Sequence, residues 1–217
     1  MSLPRSGRPE ARPTTARAAA PVPPDPTRPL QPARVLLHTA FAALPLAYAL
    51  LDVPRDAMLT LALALAVPYL GLDGARLAWP GLNRLAFASF APLLRPREAR
   101  RLTGASYSLL ALVVAVWAFA PAVVAAAFLY HSVGDSAAGW VGRRWGRHRL
   151  GRKSLEGTAA FVVAGSVVTW PFVGVTPAIV GAALAGAVEL GLPVDDNLAV
   201  PLAGGGSLAL LARATGG

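Results

Sequence analysis

The chain has 217 residues, of which 55% are hydrophobic and only 14% charged, with a mean hydropathy of +0.52 and a formal net charge of +9. About a quarter of the residues in an ordinary soluble domain are charged, so this chain is short of polar surface and reads as one bundle of membrane helices. Its basic residues alternate with apolar runs and do not line one soluble face, which excludes a nucleic-acid binder, and the absence of cysteine excludes disulfides and thiolate-ligated metals.

Residues 1–33 are rich in Pro, Arg and Ala without hydrophobic periodicity and read as a disordered, basic cytoplasmic tail. The first apolar run begins only near Val35, so a cleaved signal peptide is not expected. A transmembrane catalytic domain is expected over 34–217. Its spans are predicted at Arg34–Leu51, Ala57–Leu72, Ala105–Ala118, Pro121–Val133, Thr158–Val173, Pro177–Leu190 and Leu198–Leu211, with the Gly204-Gly205-Gly206 run interrupting the last. Between the second and third spans, Leu82, Leu85, Phe87, Phe90, Leu93 and Leu94 are too few for a span. They predict an amphipathic helix at the interface. The fold expected is therefore all-α, a polytopic bundle of about seven transmembrane helices.

Charge orients this bundle. With the N-terminus inside, the inner segments are 1–34, 74–104, 134–157 and 191–197, and of the 20 Lys and Arg residues only Arg55 and Arg213 fall outside them. The loop 134–157 and the turn 195–197 are separated by two spans, so they face the same side whatever the absolute orientation.

That loop, GDSAAGWVGRRWGRHRLGRKSLEG, carries Arg143, Arg144, Arg147, Arg149, Arg152 and Lys153, with Asp135 and Glu156 near its ends. Gly134, Gly142, Gly146, Gly151 and Gly157 would let its backbone approach a ligand. A cationic, glycine-rich loop flanked by acids suits a polyphosphate with its magnesium ion, and it equally suits an ordinary basic inner loop. The same pairs of readings attach to single residues. Asp135 either binds metal or caps a helix. Lys153, Ser154 and Glu156 precede or open a helix, where they either hold phosphate or anchor and cap the span. Glu189 is an ionisable residue inside an apolar run, a functional candidate or an arginine's partner. Asp195 and Asp196 are a like-charged pair that a divalent cation would stabilise, or a solvated turn. Asn197 caps a helix or binds a ligand by its amide. His38 follows Arg34 by one helical turn, as a proton acceptor or an interface residue.

These blocks resemble the signature of the CTP-dependent lipid kinases (dolichol, phytol and yeast-type diacylglycerol kinases). The similarity lies in Gly134-Asp135-Ser136-Ala137, Gly142-Arg143-Arg144 with Gly146, and Lys153-Ser154-Leu155-Glu156-Gly157. It continues in Asp195-Asp196-Asn197 followed by Pro201, with Glu189 upstream. A weaker block is Arg34 with His38, where Val35 replaces a lysine; Glu98, Thr103-Gly104 and Tyr107 also fit. The resemblance implies transfer of the terminal phosphate of CTP to a lipid alcohol with magnesium as cofactor, at the cytoplasmic face of a bacterial inner (plasma) membrane. It implies Asp135, Glu189 and His38 as catalytic groups and Asp135, Asp195 and Asp196 as metal ligands. Gly134, Arg143, Arg144, Gly146, Lys153, Ser154, Glu156, Gly157 and Asn197 would bind nucleotide. The partners expected are the nucleoside triphosphate, the lipid alcohol (polyprenol, phytol-like or diacylglycerol) and the membrane, with no nucleic acid. A phosphatidate cytidylyltransferase-type enzyme and a non-catalytic transporter or scaffold are the alternatives.

Overall fold

Proline, glycine and short polar side chains punctuate the apolar runs, and in the computed structural model they mark where the helices begin and end. The structure describes Leu36 and residues 39–90, 93–191 and 193–215. The basic tail, Arg34 and His38 lie outside the described residues. Helices α1 (Ala43–Leu50) and α2 (Arg55–Ala78) are followed by α3 (Pro80–Ser89) and a 3-10 turn at Pro96–Arg100. Then come α4 (Gly104–Ala118), α5 (Pro121–Leu129), a π-helical turn at Tyr130–Gly134 and α6 (Asp135–Trp145). A hairpin of β1 (Arg149–Leu150) and β2 (Lys153–Ser154) leads into α7 (Leu155–Val173), α8 (Val175–Gly191) and α9 (Asp196–Ala214).

The caps explain the boundaries. Pro121 opens α5 at a position where a missing N–H costs nothing. Thr103 accepts a bond from Ser106 N to start α4, and Ser154 accepts one from Gly157 N to start α7. Gly174, with φ of 83°, makes the tight turn between α7 and α8, which a side chain would strain.

By length and composition, α2 and α7 are the two described helices able to cross a bilayer. Their 24 and 19 residues span roughly 36 and 28 Å at about 1.5 Å per residue, against a hydrocarbon core of about 30 Å. Leu61, Leu63, Leu65 and Leu72 on α2 and Val163 and Val167 on α7 are exposed, as side chains facing lipid would be. Apolar helices α4 and α8 are shorter, with 15 and 17 residues. The structure is thus all but wholly helical, and it supports two spans by this criterion where the sequence suggests about seven.

Two further expectations change. The segment 134–157 is no open loop: its first half is α6 and its second half the hairpin. The glycine run at 204–206 does not interrupt α9, because the space in front of two of its glycines is filled. A Cβ on Gly204 would stand 2.7 Å from the Tyr130 ring, and one on Gly205 would stand 2.5 Å from Phe119.

Tyr130 organises this half of the protein. Its hydroxyl donates to the Ala178 carbonyl at 2.9 Å. Gly165 of α7, Gly181 of α8 and Gly204 of α9 all close on it, each leaving 3.0 Å or less for an added Cβ. Small residues let these three helices approach one buried aromatic. The core around it includes Phe161, Ala182, Ala185, Val200 and Leu208. A second core, with Tyr48, Met58, Leu112, Val116 and Phe128, joins α1, α2, α4 and α5.

Candidate functional site

The start of α6, the start of α7, the end of α8 and the start of α9 meet at one end of the bundle. Each supplies a polar group there. The π turn after α5 shifts the helical register, a feature often found at functional sites, and delivers Asp135 as the first residue of α6. Glu189 comes from the last turn of α8 and is 5% exposed. Asp196 is the first residue of α9. One carboxylate oxygen from each of Asp135, Glu189 and Asp196 lies within 4.8 Å of the others.

Lys153 ties two of these carboxylates, Glu189 and Asp196. The hairpin places it: Gly151, with φ of 60°, turns the chain, and Leu150 pairs with Lys153 across the two strands. Its Nζ lies 2.6 Å from Glu189 Oε1 and 3.0 Å from Asp196 Oδ2, and donates to the Glu189 backbone oxygen at 2.5 Å. The ammonium therefore sits among hard oxygen ligands, as a bound cation would.

Asp195 goes elsewhere, although it neighbours Asp196 in sequence. As the N-cap of α9 it accepts from Asn197 N at 3.2 Å and from the Asn197 amide, and its other oxygen meets Arg97 at 3.3 Å. Asn197 is thereby held inside the cap. Ser154 spends its hydroxyl on the α7 cap, 3.1 Å from Gly157 N. Glu156 binds His148, through the backbone N at 3.1 Å and the ring Nδ1 at 2.6 Å. These contacts are capping and hairpin contacts.

The glycines of the segment bring two helices together. A Cβ on Gly142 would stand 3.0 Å from Ser154 Oγ, one on Gly157 2.9 Å from the Ala138 carbonyl, and one on Gly134 2.9 Å from the Phe161 ring. Gly146 likewise faces Ser154. The close approach they permit is between α6 and α7. Arg143 and Arg144 lie in the last turn of α6 and are exposed. Arg143 packs back along the helix toward Gly139, one turn nearer Asp135.

A second polar group is less conspicuous in the sequence. Asp73 and Arg76, both buried, form an ion pair at 2.5 Å within the last turns of α2. Asp73 Oδ2 accepts from Thr103 N at 2.8 Å and from Ser106 Oγ at 2.5 Å. Arg76 donates to the carbonyls of Glu98 and Arg101, both at 2.8 Å, and to Asn83 Oδ1 at 3.0 Å. Glu98 accepts from Arg95 N and Gly104 N. The only signal of this clamp in the sequence is a pair of opposite charges at i, i+3 in an apolar helix. Its effect is to fix the segment 95–104, which carries Arg95 and Arg97 to the edge of the carboxylate group. Burial lowers the Arg95 pKa from its ordinary value, Arg97 lowers it further, and the carboxylates of Asp195, Glu98 and Asp135 oppose the shift.

No family model matches the chain, and no solved structure matches it. Over 106 residues it is 31% identical to CTP-dependent diacylglycerol kinase 1 of Saccharomyces cerevisiae; the match covers 48% of this chain and 37% of that protein. The likeness is thus to a CTP-dependent lipid kinase, of whose length the matched region spans little more than a third.

Proposed function

We propose that the protein is a membrane-embedded lipid-alcohol kinase, which transfers the terminal phosphate of CTP to the hydroxyl of a polyprenol-, phytol- or diacylglycerol-type lipid. The observation that carries this reading is the Asp135–Glu189–Asp196 group, with Lys153 bridging Glu189 and Asp196, at one end of a bundle of apolar helices. The similarity to a CTP-dependent diacylglycerol kinase supports it.

Three carboxylates with oxygens within 4.8 Å of one another, two of them already paired with the Lys153 ammonium, are a donor set that fits magnesium. Asp135 and Asp196 would hold the ion, with Glu189 beside them, and Asp195 stays with Arg97. When bound, magnesium would offset the charge of the phosphates during transfer. Lys153 would then turn from the carboxylates to the phosphates, and Arg143 and Arg144 would neutralise the rest of the triphosphate. The Arg143 guanidinium reaches back to Gly139, four residues along α6 from Asp135 or about 6 Å at 1.5 Å per residue, a separation a triphosphate can bridge.

In the reaction the lipid oxygen forms a bond to the terminal phosphorus, and the bond from that phosphorus to the bridging oxygen breaks. The products are the lipid phosphate and CDP. Glu189 receives the hydroxyl proton, in the role of general base. The lipid enters sideways from the bilayer, and the site faces the cytoplasm. Protein in liposomes should pass label from the gamma position of CTP into a lipid alcohol, with magnesium required. Label reaching the lipid from the alpha position alone would mean cytidylyl transfer and overturn the kinase reading.

A further inference from the structure

Beside the carboxylate group, the clamped segment 95–104 and the connection between α8 and α9 enclose a cleft of about 190 Å³. Arg97, Arg101, Tyr107, Val194 and Asp195 line it. Sites that enclose whole small molecules run to roughly 300–1,000 Å³, so this one suits a part of a ligand. Its chemistry narrows which part. Arg97 and Asp195 are paired at 3.3 Å across the cleft wall, so the cleft presents a donor and an acceptor side by side. A phosphate would meet the Asp195 carboxylate and be repelled. A neutral ring that carries both an acceptor and a donor on one edge would be welcomed, with the Tyr107 ring as an apolar surface beside it.

Resting on the kinase reading above, we infer that this cleft receives the pyrimidine ring of the nucleotide and selects cytosine, with Arg97 donating to the ring's N3 and O2 and Asp195 accepting from its exocyclic amine. Uracil carries a carbonyl where cytosine carries the amine, so it would set an oxygen against Asp195. Position fits the assignment. Asp195 is the immediate neighbour of Asp196, which belongs to the carboxylate group. Arg95, two residues before Arg97, feels the charges of Asp195, Glu98 and Asp135, so the cleft wall and the carboxylate group share one electrostatic neighbourhood.

The test is equilibrium binding of radiolabelled CTP to the full chain in detergent micelles, with UTP and ATP as competitors and no lipid acceptor. Wild type should prefer CTP over UTP by about tenfold or more, the scale of one correctly matched polar edge. Arg97→Gln should weaken CTP by a similar factor and leave UTP little changed. Asp195→Asn is the sharper variant. Asn caps a helix nearly as well as Asp, and its amide can donate to uracil O4, so the preference for CTP over UTP should collapse while folding is retained. Equal affinity of wild type for CTP and UTP would overturn the inference and leave the kinase reading to the label-transfer assay. So would an equal loss of both nucleotides in Asp195→Asn, the pattern expected if that carboxylate bound metal. A wild type that binds no nucleotide at millimolar concentration would sink both.

Discussion

The ammonium nitrogen of Lys153 lies 2.6 Å from Glu189 Oε1 and 2.5 Å from the backbone oxygen of the same residue. One cation thus satisfies a buried carboxylate and one of the last carbonyls of α8, which no helical N–H can reach. A positive charge at a helix C-terminus also opposes the macrodipole. The hairpin between α6 and α7 is therefore fastened to the end of α8 by a single side chain, and the start of α9 joins through Asp196.

Removing that cation should be costly. Lys153→Met leaves Glu189, 5% exposed, without its cationic partner. Losing one partner of a buried pair costs about 3–5 kcal/mol, and the partial exposure of Lys153 puts this case near the low end. The double variant Lys153→Met with Glu189→Met should recover part of the loss, because the most buried of the carboxylates no longer lacks a partner, while the more exposed Asp196 still loses its own. Thermal unfolding in micelles checks both; single and double variants of equal stability would mean that the two residues are not coupled.

Asp135, which caps nothing at the start of α6, tests the metal site directly. Asp135→Asn keeps the size of the side chain, which makes no capping bond there, but loses the charge that a magnesium ion needs. Phosphoryl transfer should fall by roughly two orders of magnitude or more, the scale of about 3 kcal/mol of transition-state stabilisation. Asp52→Asn is the control: Asp52 is exposed at φ of 48°, a conformation that Asn tolerates well. Normal turnover of the Asp135→Asn protein at low magnesium would remove Asp135 from the metal site.

The clamp in α2 predicts a stability effect with a local signature. Arg76→Met leaves Asp73 charged at 4% exposure and frees the carbonyls of Glu98 and Arg101. We expect a loss of about 3–5 kcal/mol, together with faster amide exchange across residues 95–104 than across α8. Unchanged exchange in that segment would show that it is held by something other than Arg76.

Much of the helix order is legible because glycine, proline and short polar residues sit at the helix ends. Thr103 and Ser154 announce α4 and α7 as N-caps, and the expected span 158–173 begins three residues late only because Ser154 caps at once. The helical nature of 135–145 is legible only at its start, where Asp135 reads as a possible cap. Its glycines and arginines read as loop, since helix propensity penalises glycine by about 1 kcal/mol each. Packing of Gly142 and Gly157 against one another's helices outweighs that penalty, and it is a long-range contact no local pattern reveals. Glu189 stands out as an acid in an apolar run. The divergence of Asp195 from Asp196 does not, because it depends on the cap geometry. At φ −68° and ψ 127° Asp195 is still extended, so its side chain turns toward Asn197 and Arg97, while Asp196 enters the helix beside Lys153. The Asp73–Arg76 clamp was hidden by its own segment, which reads as the end of one helix and the start of an interfacial one.

Sidedness supplies the last prediction. The carboxylate group exists only if the segment 134–157 and the connection between α8 and α9 emerge on one face of the membrane. Lys153 lies 3.0 Å from Asp196, so α7 and α8 run out from this end of the bundle and back to it. Arg147 and Pro193 are both exposed at that end, whereas Arg213 lies in the last turn of α9, at the far end. The chain has no cysteine, so a single cysteine at each position reports without background. In oriented vesicles, Arg147→Cys and Pro193→Cys should react with a membrane-impermeant maleimide from the same side. That side should be the cytoplasmic one, where basic residues gather. Arg213→Cys should react from the opposite side if α9 crosses the bilayer, and from the same side as the others if α9 stops short of it. Labelling of Arg147→Cys and Pro193→Cys from opposite sides would pull Lys153 away from Asp196 and dismantle the proposed site.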